Sequence, residues 1–160
     1  MGSRTDAEFS EYFAGRVGGL RRVAYALCGD WHTADDLVQT TFVKVYQHWR
    51  RTRPESLDAY TRRILVNAFL SHRRDRRRET VVAEPPDAAV DAAEPGGHEG
   101  LGRALQALPA RQRAVVVLRH LEDLSVAEVA ELLGMAEGTV RSQTARAVDA
   151  LRRTLAPTKE

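Results

Sequence analysis

Between Glu8 and Ala26, apolar side chains recur at Phe9, Phe13, Val17, Leu20 and Ala24, continuing to Leu27, spaced as one face of an α-helix. Cys28-Gly29-Asp30 interrupts the pattern, and Thr33 or Asp35 can open a second helix that runs to about Arg50. Its apolar face is Val38, Phe42, Val45 and Trp49, at i, i+4, i+7 and i+11. Arg51 to Glu55, with Pro54, is a break. A third long helix starts near Ser56 or Asp58, buries Leu57, Tyr60, Ile64, Leu65, Ala68 and Phe69, and runs on into a cluster of arginines. The pattern resumes with Leu101, Leu105 and Leu108 before Pro109, which suits a first helical turn, and then Val115, Leu118 and Leu121. Glu122-Asp123-Leu124 reads as a turn and Ser125-Val-Ala-Glu128 as a capping box, opening a short helix with Val126, Val129, Ala130 and Leu133 inside. Gly134 can take the left-handed conformation that turns the chain. A last helix follows from about Glu137, with Val140, Ala147, Leu151 and Leu155 facing inward. No stretch alternates with the period of a strand, so the predicted class is all-α.

The stretch from Thr80 to Gly100 breaks this regularity. Its prolines, glycines and alanines leave too little large apolar surface to balance the entropy of an ordered core, and it reads as an acidic flexible linker. Charge sharpens the division. The net charge is +6 over residues 1–78, −6 over 79–100 and +2 over 101–160, so the overall +2 conceals the arrangement. The predicted organisation is therefore two small helical domains, 1–78 and 101–160, joined by a linker at 79–100. Cys28 is the only cysteine, which rules out an internal disulfide and fits a cytoplasmic setting. No apolar run reaches membrane-spanning length and no signal-peptide pattern is present, so no membrane partner is expected.

Two stretches carry candidate chemistry on their own. Val126 to Arg153 has the form of two helices about a glycine-centred turn, a helix-turn-helix. Arg141, Ser142, Ala145 and Arg146 share the outer face of the second helix near its start, where a recognition helix presents residues to the major groove. Arginine bridges two acceptors of guanine, and Ser142 and Gln143 can meet bases or phosphates. The bland alternative is a helical hairpin with a solvated charged face. In the third helix, Arg63, Asn67, Ser71 and Arg74 fall at i, i+4, i+8 and i+11, a polar stripe leading to arginines at 73, 74 and 76–78. Such a face can track phosphates and set an asparagine against a base edge; a solubilising helix end is the alternative. The outer face of the second helix, with Asp36, Gln39, Thr40 and Lys44 beside Leu37, reads by itself as the polar outside of a core helix. Cys28 and His32 are too few for a metal site, and no catalytic or phosphate-loop motif appears, so neither cofactor, metal, small-molecule substrate nor enzymatic activity is expected.

Three blocks together are more specific. ADDLVQTTFVKVYQHW, AYTRRILVNAFLSHRR and LPARQRAVVVLRHLEDLSVAEVAELLGMAEGTVRSQTARAVDALR, in that order, resemble a small bacterial sigma factor of the extracytoplasmic-function group of the sigma-70 family. The resemblance covers nearly the whole chain. It implies a factor that directs core RNA polymerase to promoters. The helix with Asp36, Leu37, Gln39, Thr40, Phe42 and Lys44 would dock on the clamp of the polymerase β′ subunit, with Thr40 standing where the family usually has glutamate. Arg51 to Tyr60, including Arg53 and Tyr60, resembles the loop that captures an unstacked base of the −10 element, and Asn67 matches a position contacting that base. Arg141, Ser142, Gln143 and Arg146 would read the −35 element, although Gln143 and Ala145 replace larger or basic residues common there, and Ala136 stands where a serine often caps the helix. The implied partners are promoter DNA, core polymerase through its β′ clamp and β flap, and an anti-sigma protein. The competing readings are a stand-alone helix-turn-helix regulator and a sigma-like protein held mainly in an anti-sigma complex.

Overall fold

The computed structural model describes residues 5–80 and 99–156; the acidic linker lies outside them apart from its ends. The described residues form seven α-helices, a short 3-10 turn and a π-helical turn, with no strand among them. The chain divides into two compact units, Met1–Phe69 and Leu70–Glu160, and the division falls inside the third helix.

The first unit is built on α1 (Asp6–Cys28), α2 (Trp31–Gln47) and the start of α3 (Leu57–Thr80). Thr5 caps α1 by accepting from the Glu8 N–H. Gly29, at φ 77, ends α1 in the left-handed conformation and leaves one residue, Asp30, before α2. Asp30, rather than Thr33 or Asp35, is the cap of α2. Its carboxylate accepts from both the backbone N–H (2.9 Å) and the hydroxyl (2.7 Å) of Thr33, so the helix begins earlier than its apolar spacing predicts. These bonds, the Thr33 hydroxyl first, hold the Asp30 carboxyl below the usual carboxylate range. Arg21 lies over the Trp31 ring at 4.3 Å and forks onto Asp35, while Tyr25 stacks on the same ring, which clamps the start of α2 against α1.

Leu20, Val23, Ala24 and Leu27 of α1 and Ala34, Val38, Phe42 and Val45 of α2 are buried. At the far end Val45, Trp49, Leu57 and Ile64 form one cluster, with Phe9, Tyr12 and Tyr60 packed on it. The Trp49 indole donates to the Thr5 carbonyl at 3.0 Å. Asp58 ties α1 to α3: it accepts from the Tyr12 hydroxyl and a fork from Arg16, all at 2.8–2.9 Å. Burial raises the Tyr12 phenol above its ordinary pKa.

In the second unit, α4 (Glu99–Gln106), α5 (Ala110–Val116) and α6 (Val126–Leu133) all pack against α7 (Glu137–Leu155). Val115, Leu118, Val129, Val140 and Ala147 make a core without aromatic rings, because every aromatic residue of the chain lies at or before Phe69. Pro109 stands just before α5, as its N-cap. The helix then widens into a π-helical turn, Val117–Leu121, and Asp123 at φ 55 reverses the chain. Ser125 and Glu128 form the capping box: Ser125 Oγ accepts from the Glu128 N–H and Glu128 Oε1 from the Ser125 N–H. Gly134 at φ 66 ends α6, a conformation that side chains rarely adopt. Leu155, expected inside, is 45% exposed. It lies at the last turn of α7, on the rim of an apolar groove.

Candidate nucleic-acid interface

α7 begins without a side-chain cap, because Ala136 has no acceptor to offer. Its first turn therefore leaves backbone N–H groups facing outward at the positive end of the helix dipole. Arg141, Ser142, Ala145 and Arg146 are all exposed, as their spacing requires, while Val140 and Ala147 on the opposite side are completely buried. Arg141 meets Glu137 at 3.6 Å, one turn earlier, but both side chains are more than half exposed, so this pair is weak and leaves Arg141 available. Ser142 donates to the Thr139 carbonyl. Gln143 differs from its neighbours: it is half-buried, and its Oε1 accepts from Gln112 Nε2 of α5 at 3.0 Å.

Gly138 lies beside this face and is not marked by the sequence pattern. It lies in the first turn of α7, and a Cβ built on it would meet no described atom within 4 Å. Its backbone is not in the left-handed region, so neither a turn nor packing within the unit requires glycine. A glycine inside a helix costs about 0.5–1 kcal/mol relative to alanine. A bare helix start beside two exposed arginines is what close approach to a nucleic-acid backbone needs.

On α3, Arg63, Asn67 and Arg74 are exposed and Ser71 is partly so, which makes one outward stripe; Arg74 donates to Ser71 at 3.3 Å. Arg53, exposed, precedes the 3-10 turn Pro54–Ser56 that leads into α3. Tyr60 is half-buried on the core cluster and meets the His48 ring edge-on at 6.1 Å, so its ring is partly committed to packing. A cleft of about 340 Å³ opens beside this loop, between Tyr12, Trp49, Pro54 and Leu57. It lies on the α1 side of α3, and neither Asn67 nor Tyr60 lines it.

The outer face of α2 presents Asp36, Gln39, Thr40 and Lys44, all exposed. Leu37, expected beside that face, is 5% exposed, and Phe42, which the spacing places inside and the resemblance assigns to the docking helix, is 4% exposed. They flank the face from inside the core, where Phe42 meets Phe13 edge-on at 4.7 Å. The large apolar residues of α2 that stand outside are Val43, 51% exposed among Gln39, Thr40 and Gln47, and Tyr46, 47% exposed. His32 lies 3.9 Å from Asp36 across one turn. In the second unit Leu101, Val116, Val148, Leu151 and Leu155 line a groove of about 500 Å³, with His120 and Arg152 at its polar edge.

Among the described residues no cluster of side chains could hold a metal ion, and no helix is long and apolar enough to cross a membrane.

Two family models match this chain in the order of its units: Sigma-70 region 2 over residues 16–79 and Sigma-70, region 4 over residues 98–151. The chain is 41% identical to the RNA polymerase sigma-E factor of Streptomyces avermitilis over 152 residues, which spans 92% of this chain and 85% of that one. It is 33% identical to the ECF RNA polymerase sigma factor SigM of Mycobacterium tuberculosis, over 92% of this chain and 76% of that one. Its structure is similar, with a TM-score of 0.80 and 28% identity, to the sigma factor RpoE of Bartonella quintana, solved with the anti-sigma factor NepR; the match covers 95% and 99% of the two chains. The chain thus belongs to the sigma-70 family, as an RNA polymerase sigma factor of the extracytoplasmic-function group. Sigma factors act in transcription initiation and bind core RNA polymerase and promoter DNA.

Proposed function

We propose that this factor divides promoter recognition between residues 1–78 and 101–160, with 79–100 as the link, and has no catalytic chemistry of its own. The α7 face reads the −35 duplex: Arg141 and Arg146 reach base edges or phosphates, and Ser142 and Gln143 add hydrogen bonds. The α3 stripe follows the melted −10 strand, with Arg53, Tyr60, Arg63, Ser71 and Arg74 around an extruded base whose edge Asn67 reads. That division has a physical logic, since a base edge becomes fully accessible only outside the stack, and unstacking costs about a few kcal/mol that the protein must offset. The outer face of α2 docks on the polymerase β′ clamp through Asp36, Gln39, Thr40 and Lys44, with Leu37 and Phe42 supporting it from beneath. The apolar groove beside Leu155 takes the β flap. The factor works in the cytoplasm, where polymerase and DNA are.

The observation that carries this reading is the coexistence of two outward basic faces, on α3 and α7, with a third face on α2 that is not basic and exposes Val43. A stand-alone regulator needs no third face. The test is transcription by purified core polymerase, with and without this chain, on promoters from its own genome; stimulation is expected, and none on any promoter would refute the reading. Arg146→Ala should cost about 1–3 kcal/mol at one −35 position, and equal weakening on every sequence would reduce its role to holding phosphate. Asp36→Ala should weaken polymerase binding in a folded protein, and unchanged affinity would refute docking through that face. The complex of RpoE with NepR favours a second state, in which an anti-sigma protein covers the same faces and withholds the factor from polymerase.

A further inference from the structure

Gln143 is the one residue of the −35 face whose side chain is engaged by another helix. Its carbonyl oxygen accepts from Gln112 Nε2 at 3.0 Å, across a contact between α5 and α7 that is half-buried. The two residues are 31 positions apart, so this bond is set by the packing of the unit rather than by helix geometry. Gln112, itself half-buried, immediately precedes the buried run of α5 that starts at Arg113.

A free glutamine reads adenine by offering its oxygen to N6–H and its nitrogen to N7 at once. That pairing needs both ends of the amide to face the base. In this protein the oxygen end is turned toward α5, which leaves the amide nitrogen, a donor of two hydrogens, as the end free to meet DNA. A donor alone suits adjacent acceptors, such as guanine O6 and N7, thymine O4, or a phosphate, better than adenine, whose N7 accepts but whose neighbouring N6–H2 is itself a donor.

We propose that Gln112 is a positioning residue for −35 specificity: it holds the Gln143 amide as a hydrogen-bond donor and steers that position of the promoter away from adenine. The inference rests on the −35 reading proposed above. Gln112 itself need touch no base. It selects which of two recognition patterns Gln143 can use, and a substitution on α5 then changes the sequence that α7 prefers.

The experiment uses core polymerase, the full-length factor and a promoter library randomised through the −35 element, with base frequencies read in the transcribed templates. Gln143→Ala in the wild-type background identifies the position that Gln143 reads, by flattening the preference there. At that position the wild type should favour guanine or thymine. Gln112→Met removes the donor with little change of volume; it should raise adenine there about fivefold or more and leave the positions read by Arg141 and Arg146 unchanged. Gln112→Glu can only accept, so it should turn the amide round, present the Gln143 oxygen and enrich bases that donate, adenine and cytosine. The double variant Gln112→Met with Gln143→Ala should match Gln143→Ala alone. A preference in Gln112→Met identical to the wild type, or a shift that survives Gln143→Ala, overturns the proposal but leaves the −35 reading standing. The absence of any −35 preference in the wild type overturns both. A uniform loss at every position would show that Gln112 is merely structural, and melting curves of each variant would report the accompanying loss of fold.

Discussion

Arg113 is the largest fully buried side chain of the second unit, at 1% exposure, and it occupies a position that apolar spacing would give to a hydrophobic residue. Its guanidinium closes the end of α4: Nε donates to the Leu105 carbonyl at 2.8 Å, and Nη2 donates to Gln106 at 3.1 Å and Leu108 at 2.8 Å. The last carbonyls of a helix have no partner within it, and Pro109, three residues past the end of α4, has no N–H to offer. Arg113→Met keeps the apolar stem and removes the donors. Hydrogen bonds from a charged donor are worth roughly 1.5–3 kcal/mol each. Leu105 keeps a second bond, from the Leu108 N–H at 3.1 Å, so the loss there is partial. Against this, the variant no longer has to desolvate a guanidinium, an effect of several kcal/mol, roughly. The balance is a loss of about 2–4 kcal/mol, against a total of about 3–9 kcal/mol for a unit of about 60 residues. Arg113→Lys should recover only a minor part, since an ammonium has no planar fork with which to span three carbonyls. The distribution of aromatic residues supplies a clean assay. Trp31 and Trp49 both lie in the first unit, so tryptophan fluorescence reports that unit alone, whereas far-ultraviolet circular dichroism reports the helices of both. In a urea titration of the full chain, Arg113→Met should move part of the helical transition to lower urea while the fluorescence transition stays in place. An unmoved helical transition would refute the capping role, and a fluorescence transition that moved by the same amount would refute its being local to the second unit.

Other consequences are testable in the same preparations. Asp30 has a folded-state pKa below its unfolded one, so its contribution is fully present above the unfolded value and is lost as pH falls through the folded one. Asp30→Asn keeps a capping acceptor; the first unit should then lose less stability on acidification below about pH 4, seen as a smaller acid shift of the fluorescence transition than in the wild type. Gly138→Ala should stabilise the second unit by about 0.5–1 kcal/mol while weakening −35 binding; a variant that gains stability and binds promoter as well as the wild type would show that the bare helix start has no role. Val43→Glu, on an exposed position, should leave the unfolding transitions within about 0.5 kcal/mol of the wild type and reduce affinity for core polymerase several-fold; unchanged affinity would exclude Val43 from the docking face.

What the chain discloses in one dimension is whatever has a local cause. The capping box at Ser125, the left-handed Gly134, the uncapped start at Ala136 and the outward run of Arg141, Ser142 and Arg146 depend on neighbours within a turn or two, and each is legible in the spelling of the helix-turn-helix. The start of α2 lies before the point its apolar period indicates, because that period begins after the cap that launches the helix, and Asp30 belongs to no period. Leu37 lies at the edge of an apolar arc wider than the stripe of Val38, Phe42, Val45 and Trp49 that the spacing shows, because α2 is covered on two sides, by α1 and by the start of α3. Val43 is hidden in the sequence for the converse reason: a valine among polar residues carries no periodic signal, and its exposure follows only from where the arc ends. Arg113 and Gln112 were the hardest to read. Each acts on residues 5 to 31 positions away, and adjacent residues of α5 divide their work, one closing α4 and the other restraining a side chain on α7. A short helix with one arginine turned fully inward and one glutamine turned sideways looks, in sequence, like an ordinary polar interruption of an apolar run. In the folded unit it is the element that fixes both the floor beneath α7 and the hydrogen-bonding character of the surface α7 presents. If α7 reads the −35 element as proposed, its specificity has to be argued from α5 as well as from α7 itself.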